Sequence, residues 1–548
     1  MSLSNFSHAI MFFLFFLICQ KLDAQNESFT MTAIGPNNLL NKPWDLHFGP
    51  DGYLWITERE AAVVLRVNPA TGQRDDLIQI PDASSTGGQD GLLGITFHED
   101  FLGESPYVYL SYTYLLAGER RQKLVRYTHE ITDDDGTLTA PITLIDNLPA
   151  SNDHNSGRLV LGPDQKLYYS IGDQGNNQNS NYCRPILAQM LPLQSQIDQQ
   201  DWTNYPGKIL RLNLDGTIPE DNPLLAGVRS HVYSYGHRNP QGLVFSSTGA
   251  LYSDEHGPNT DDEVNRIVAG DNYGWPRVAG FQDDQAYDYC NWSSAADCES
   301  LDYSNGSCPA ELEFLEESSF SAPNYREPLF SMFAVPDDYD YNNPACQNAW
   351  ICRPNVAPSS LGIYESEAIP GWTNSLLVTS LKRGRVYRLR LNEDGTAIVG
   401  DTTQHFYTQN RYRAIAADPD GKSFYVITDQ SGNTSGPTGL TVTNNLQNPG
   451  AILKFTLQEP VSVTNEQAPP LLNIWPNPAS SKVYFTLKEH QQNHLTAELI
   501  NATGQVVRTM TDLQAGTHEI ITEDFPAGVY TFKLSAVGQF WLQRVVIF

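Results

Sequence analysis

The sequence predicts an all-β fold built by radial repetition, a β-propeller, followed by a smaller β domain. Three observations point there. A turn-then-strand unit recurs as FGPDGYLWIT at 48–57, LGPDQKLYYSIGD at 161–173 and ADPDGKSFYVITD at 417–429. A strand-then-turn unit recurs as GKILRLNLDG at 207–216 and GRVYRLRLNEDG at 384–395, and GAILKFTLQ at 450–458 repeats it without the turn. Asp-Gly and Pro-Asp-Gly favour tight turns, so both units are hairpin signals. Long amphipathic helical patterns are scarce, and 40 Gly, 34 Pro, 27 Tyr and 23 Phe suit a β-rich, turn-rich chain. Hairpins recurring over most of the chain suit a propeller. Their irregular spacing requires long loop insertions, and Glu299–Tyr341, rich in Asp, Glu, Ser and Pro, reads as one. A β-sandwich or two packed β domains is the alternative that the pattern leaves open.

Residues 1–24 read as a signal peptide. Ala9–Cys19 is apolar and uncharged, the length of an h-region and too short to span a bilayer, and Ala24 suits cleavage before Gln25. The n-region departs from the usual pattern, carrying only the α-amino group and His8. A lipoprotein reading of Cys19 is disfavoured by the bulky Ile18 before it. Export leaves six cysteines: Cys183, Cys290, Cys298, Cys308, Cys346 and Cys352. In an oxidising compartment these favour disulfides, with Cys346 and Cys352 close enough to close a small loop. The pairing of the other four stays open, and no spacing argues for zinc.

Acidic residues outnumber basic ones by 63 to 34, a net charge of −29. That balance argues against nucleic acid or an anionic membrane as the main partner. The propeller domain is expected over 25–458 and a linker over 459–470 (EPVSVTNEQAPP). Short strands fill 471–548, enough for a small β-sandwich, with no cluster of His, Cys or acids.

The densest chemical signal runs from Tyr235 to Pro276: YGHRNPQGL, EHGPNTDDEVN, then NYGWP. Arg238 can grip a carboxylate bidentately, with Asn239 beside it as a further donor. Backbone carbonyls exposed at a Gly-Pro turn, near several acids, suit a hard cation such as Ca2+. Elsewhere, His154 and Asp173 can form a base with its orienting carboxylate, although a surface histidine is the commoner outcome. Gln89 lies in the glycine-rich GGQDGLLG, where backbone can approach a neighbour closely or simply turn. Lys382 and Arg383 sit at a strand-to-turn junction, and Arg411 and Arg413 flank Tyr412 so that an extended strand puts both on one face. Most such charges are solvated hairpin ends.

Together these patches resemble the soluble quinoprotein glucose dehydrogenases and the wider aldose sugar dehydrogenases, from about Ile34 to Leu457. The motifs that carry it are QDGLLG, DHNSGRLVLGPDQKLYYSIGDQG, GHRNPQGL, GPNTDDEVN, NYGWPRVAGF, YNNPACQNAWICRPNVAPSS, SLKRG and RYRAIAADPDG. The resemblance implies a six-bladed propeller that uses pyrroloquinoline quinone (PQQ) and Ca2+. It implies His154 as the base on the sugar's anomeric hydroxyl, Asp173 as its orienting partner, and oxidation to a lactone by hydride transfer to the quinone. Arg238 and Asn239 would contact the quinone oxygens, and Gln89, Lys382, Arg411 and Arg413 the three carboxylates. The carbonyls of Gly257 and Pro258 would bind the catalytic Ca2+. Glu263, Tyr273, Ala279 and Asp283 match positions that bind structural Ca2+ near a dimer interface, which implies a possible homodimer. The sugar would meet Gln89, Asp153, His154, Asn179, Trp350 and Arg353. The electrons would leave to an external acceptor: a dye, a quinone or a small redox protein. The departures surround the sugar. Arg353 and Asn179 replace aromatic and apolar residues, which favours a more polar or acidic substrate, and four of the cysteines are additions. A non-catalytic sugar- or protein-binding propeller and a Ca2+-dependent lactonase are the competing readings. The former should have lost His154, Asp173 or Arg238, and the latter needs no cluster for three carboxylates. The tail, with WPNPA, NATGQVV, FPAGVYTFKL and RVVIF, resembles type nine secretion sorting domains, which implies a secreted or cell-surface protein.

Overall fold

The computed structural model describes residues 27–132, 135–304, 307–341, 349–400, 402–436, 442–458, 473–487, 495–502, 504–536 and 539–548. The expected signal peptide, linker and Cys346 lie outside the described residues. The chain divides into two compact units, Met1–Gln458 and Glu459–Phe548.

Among the described residues the first unit holds six four-stranded antiparallel sheets, apart from two short two-stranded ribbons. Their first strands are Pro43–Phe48, Leu92–Phe97, Leu159–Leu161, Pro240–Phe245, Pro358–Tyr364 and Tyr412–Ala417. These six pack against one another in cyclic order, the last against the first, which is the arrangement of a propeller. The sixth sheet takes its outer strand from the other end of the chain: Phe29–Ile34 pairs with Ile452–Leu457. That pairing stitches the two ends of the unit into one sheet and covers an edge that would otherwise stay open. The recurring sequence units now have a place. LWITE, LYYSI and SFYVIT are second strands, and KILRL, VYRLR and ILKFTL are third strands.

A buried polar pin ties the inner strands. Arg158, 3% exposed, lies over Trp44 at 4.2 Å and donates to the carbonyls of Gln241 at 2.8 Å and Ser359 at 3.0 Å. It also bonds the carboxylate of Asp45, whose other oxygen accepts from the Ile95 backbone at 3.2 Å. Five sheets meet through these two side chains. Burial alone would raise the Asp45 carboxyl, but Arg158 and His47 hold it down to about 2.

The insertion differs from the expected Glu299–Tyr341. It follows Asp262–Ile267, and Phe330–Met332 inside the expected span is the fourth strand of that sheet. A three-residue edge strand gives too short an alternation to read from sequence. Two disulfides, Cys183–Cys298 and Cys290–Cys308, fasten the insertion to the loop after Asp173 and to itself. Cys352 is also disulfide-bonded.

The second unit is a β-sandwich of a three-stranded and a four-stranded sheet. Alternate residues of Lys482–Leu487 and Leu495–Ile500 point inward, so Val483, Phe485, Ala497, Leu499, Phe532 and Val545 share one core.

Candidate active site

In an antiparallel sheet the start of the first strand and the end of the second lie at the same edge. The functional side chains sit at those two places in sheet after sheet. Gln89, Arg238 and Arg411 precede first strands, while Asp173, Gly257, Lys382 and Asp429 follow second strands. Their convergence at one end of the ring therefore follows from topology. Five of the six first strands also break register at this end: between Pro43 and Asp45, Leu92 and Ile95, Pro240 and Gly242, Pro358 and Leu361, and Tyr412 and Ala414. Such bulges aim side chains out of the regular pleat.

The result is a cavity of about 820 Å3. Lys42, Arg59, Arg238, Arg353, Lys382, Arg411 and Arg413 line it, against two carboxylates among the described residues, Asp153 and Asp429. In a chain of net charge −29 this is a reversal of sign. Arg413 donates to both oxygens of Asp429, at 3.1 and 3.0 Å, and Arg411 to one of them at 3.1 Å. Burial would raise Asp429, but Arg413 and Arg411 hold it down to about 2. Burial pushes Arg411 and Arg59 below the usual guanidinium range, and Arg413 adds to it in both. It also pushes the Lys382 ammonium down, against the pull of Asp262. A crowd of partly desolvated cations is costly in itself and favours an anionic guest.

His154 lines the cavity and is 4% exposed, in the left-handed region at φ 43°. Its Nδ1 lies 2.7 Å from Asp173 Oδ1. The fully buried Asp173 also accepts from the Trp275 indole at 2.8 Å and the Gly175 backbone at 2.9 Å. Against an ionised carboxylate, which only accepts, a neutral imidazole here has its proton on Nδ1 and its lone pair on Nε2. Gln178 Nε2 approaches that lone pair at 3.3 Å. Gln178 Oε1 in turn accepts from Arg238 at 3.0 Å, and Arg238 lies 5.3 Å over the Trp275 ring. Asp153 accepts from Gln89 at 2.6 Å and from the His154 backbone at 3.0 Å.

Most of the expected residues meet here: Gln89, Asp153, His154, Asn179, Arg238, Gly257, Pro258, Trp350, Arg353, Lys382, Arg411 and Arg413 all line the cavity. Asn239 is placed differently. It is fully buried behind Gln89, to which it donates at 3.2 Å, and its oxygen accepts from Ser156 and Gln241. Gly257 is pinned by its N–H to Asp262 Oδ1 at 3.0 Å, and a Cβ there would meet the Thr260 carbonyl at 1.9 Å, so only glycine fits the turn. Sequence reasoning missed Lys42, Arg59, Gln178 and the role of Trp275. NYGWP was noted as a turn, but its donor to Asp173 bridges 102 positions.

Of the other expected Ca2+ positions, Glu263, Ala279 and Asp283 gather around Asp261 and Glu317, and none of them lines the cavity. Glu263 accepts from Gly280 N at 2.7 Å and from Asn265 at 2.9 Å. Ala279 N and Asp284 N donate to Glu317, a residue the sequence did not single out. Burial, with Glu255 and Asp261 nearby, pushes Glu263 well up, and burial with Asp283 and Asp261 raises Glu317 to about 8. The Tyr273 hydroxyl is engaged by Arg266 O at 2.7 Å and Val268 N at 3.0 Å, and its ring stacks on His237. Among the described residues, no three His, Cys, Asp or Glu side chains form a metal-ligand group by themselves. The expected ligand sets lean partly on backbone carbonyls, as at Gly257 and Pro258.

The donor sets fit the implied guests. Seven cations suit a molecule with three carboxylates, and Arg238 Nε, buried in the wall, has no hydrogen-bond partner among the described residues. The raised carboxyls of the second cluster suit a hard cation.

Residues 40–331 and 321–436 match the glucose/sorbosone dehydrogenase family, and residues 473–548 match the secretion system C-terminal sorting domain. Quinoprotein glucose dehydrogenase B of Acinetobacter calcoaceticus is 46% identical over 445 residues, spanning 79% of this chain and 92% of that protein. The aldose sugar dehydrogenase of Escherichia coli (strain K12) is 28% identical over 435 residues, 77% and 97% of the two chains. The PQQ-bound aldose sugar dehydrogenase structure from Streptomyces coelicolor shares the fold, with a TM-score of 0.54 at 24% identity over 79% of this chain and 99% of that one. The sorting domain marks the protein for export, to the cell surface or beyond. The chain belongs to the glucose/sorbosone dehydrogenase family and ends in a secretion sorting domain.

Proposed function

We propose that this protein is an exported, PQQ- and Ca2+-dependent dehydrogenase that oxidises an aldose at its anomeric carbon to the lactone. The reversal of charge at the cavity, beside a buried His–Asp pair, is the observation that carries it. Lys382, Arg411 and Arg413, together with Lys42 and Arg59, would neutralise the cofactor's carboxylates. Gln89 would add a neutral donor, held in place by Asn239 and Asp153. Arg238 would face the quinone, positioned by Gln178 and Trp275. Gly257 and Pro258 would offer backbone oxygens to the Ca2+, which acts as a Lewis acid. PQQ, when bound, supplies the two-electron oxidant that takes the C1 hydrogen of the sugar.

The chain's own part is the proton. His154 Nε2 would accept the proton of the C1 hydroxyl. Asp173, fixed by Trp275 and Gly175, would stabilise the imidazolium that forms and hold the ring's orientation. Asp153 and Gln178 would orient the sugar beside Nε2, and Trp350, 45% exposed, can stack on a sugar face. An external acceptor would then collect the electrons. Glu263, Ala279, Asp283 and Glu317 would hold a structural Ca2+. A homodimer pairing near that cluster would appear in sedimentation as a doubled mass. The purified protein should be mixed with PQQ and Ca2+ and assayed by dye reduction on a panel of aldoses. Absence of both a PQQ spectral change and turnover would rule the dehydrogenase out.

A further inference from the structure

The four added cysteines do more than staple a loop. They fix an aromatic wall at the mouth of the cavity. Cys183 stands 10 residues after Asp173 and bonds Cys298 of the insertion, while Cys290–Cys308 closes the insertion around Tyr303. Tyr303 packs its ring against Trp292 at 5.1 Å and Tyr182 at 5.4 Å, in a small core that also holds all four of these cysteines. Tyr182 donates to the Leu301 carbonyl at 3.2 Å, and Asn177 bonds both the Cys290 carbonyl at 2.9 Å and the Trp292 backbone at 2.8 Å. The insertion is therefore built onto the segment 177–183, the same segment that carries Gln178 and Asn179 into the cavity.

Tyr303 lines the cavity beside these two and beside Arg353 and Trp350. It is half-buried, so one side of the ring meets the core and the rest meets the cavity. Its phenolic oxygen faces the backbone N–H of Asn179 and lies within the field of Arg353 and Arg238. No hydrogen bond from this hydroxyl to an acceptor appears among the described residues, so the O–H is available to a ligand. A rigid ring with a free donor is the usual equipment for contacting a sugar, a flat apolar face and a polar tip in one side chain.

We propose that Tyr303 is a specificity-determining residue of this chain, touching the aldose away from its anomeric carbon, and that the Cys183–Cys298 and Cys290–Cys308 pair presents it. The inference rests on the dehydrogenase reading for the identity of the ligand class. The Trp292 and Tyr182 rings fix the plane of Tyr303, and two covalent links keep the insertion from swinging away from Gln178. Sugar preference would therefore depend on an element far from the base and the cofactor cations in sequence.

Calorimetric sugar binding to the full chain loaded with Ca2+ and pre-reduced PQQ, which cannot oxidise the sugar, tests this without turnover. Glucose, galactose, xylose and maltose serve as probes, with kcat and KM measured in parallel. Tyr303→Ala should weaken binding and raise KM for at least one of them by roughly tenfold, the loss of a ring face and a hydrogen bond together. PQQ affinity and kcat should stay within about twofold, since removing an interaction shared by ground and transition states shows in KM. Tyr303→Phe should keep part of the binding but shift the ranking among the sugars. Cys290→Ser with Cys308→Ser should move the ranking in the same direction as Tyr303→Ala. Sugar affinities and ranking unchanged in Tyr303→Ala would overturn the proposal, as would failure of all four sugars to bind the wild type. A wild type that binds sugar but never reduces dye would contradict the dehydrogenase reading instead, and the calorimetry would still decide Tyr303.

Discussion

The cavity and the separate acidic cluster are opposite solutions to one electrostatic problem. Around Asp429 the chain buries Arg411, Arg413 and Arg59 together, and burial lowers the basicity of Arg411 and Arg59. Around Glu263 and Glu317 it buries carboxyls together, and both are pushed toward their neutral forms. Each crowd of like charge costs stability unless a partner of the other sign offsets it. The cationic crowd is held by Asp429, itself in the cavity wall, which bonds Arg411 and Arg413. The acidic crowd is backed mainly by backbone N–H groups from Gly280, Ala279 and Asp284. Backbone donors stabilise the carboxylates without consuming their charge, which suits a metal. The two regions differ as an anion receptor differs from a cation receptor, and they can be perturbed separately.

The largest separation should come from the base. His154→Ala should lower kcat by about 10²- to 10⁴-fold while leaving PQQ affinity and Ca2+-dependent stability in place. Stopped-flow dye reduction at saturating sugar measures it, and turnover within a few-fold of wild type would remove His154 from that role.

Acid should strike the cationic side next. The Asp429 carboxyl sits at about 2 in the folded protein against 3.8 as a free group. A depressed pKa contributes stability that is fully present above the unfolded value, and it is lost as pH falls through the folded one. Asp429 should therefore give up about 2 kcal/mol between roughly pH 4 and pH 2. Asp45, also at about 2, should behave alike through the inner-strand pin. Denaturation curves from pH 5 downward would show the loss, and Asp429→Asn should flatten part of it.

The smallest effect should single out the acidic side. At neutral pH Glu317 is raised to about 8, so Glu317→Gln removes little charge and should change stability without Ca2+ by no more than about 1 kcal/mol. It should nevertheless weaken the rise in Tm that added Ca2+ gives the wild type. Thermal scans with and without EGTA check this. An unchanged Ca2+ response would remove Glu317 from the ligand set.

Much of this was legible in the sequence where chemistry and local geometry coincide. Asp-Gly turns marked second and third strands because a hairpin needs them. First strands such as PWDLHF hid behind bulges that break the alternation, and outer strands such as Phe330–Met332 and Thr403–His405 were too short to alternate at all. Arg411 and Arg413 were expected on one face of an extended strand; Arg411 in fact precedes the strand and Arg413 sits in the bulge between Tyr412 and Ala414, yet both reach Asp429. Lys42, Arg59 and Gln178 sit in no motif. Their roles come from the ring closing, which no local pattern encodes. The Cys183–Cys298 link spans 115 positions, and the packing of Tyr182, Trp292 and Tyr303 with the Asn177 hydrogen bonds brings those two segments together.

The central claim is that the reversed charge at the cavity exists to hold a polyanionic cofactor. Titration of PQQ into the protein with Ca2+, repeated with Arg413→Met and Lys382→Met at low and high salt, tests it most directly. Tight binding to the wild type is expected, weaker by roughly ten- to a hundredfold in each variant and less salt-sensitive there. PQQ affinity that is unchanged in both variants, or a wild type that does not bind PQQ, would contradict it.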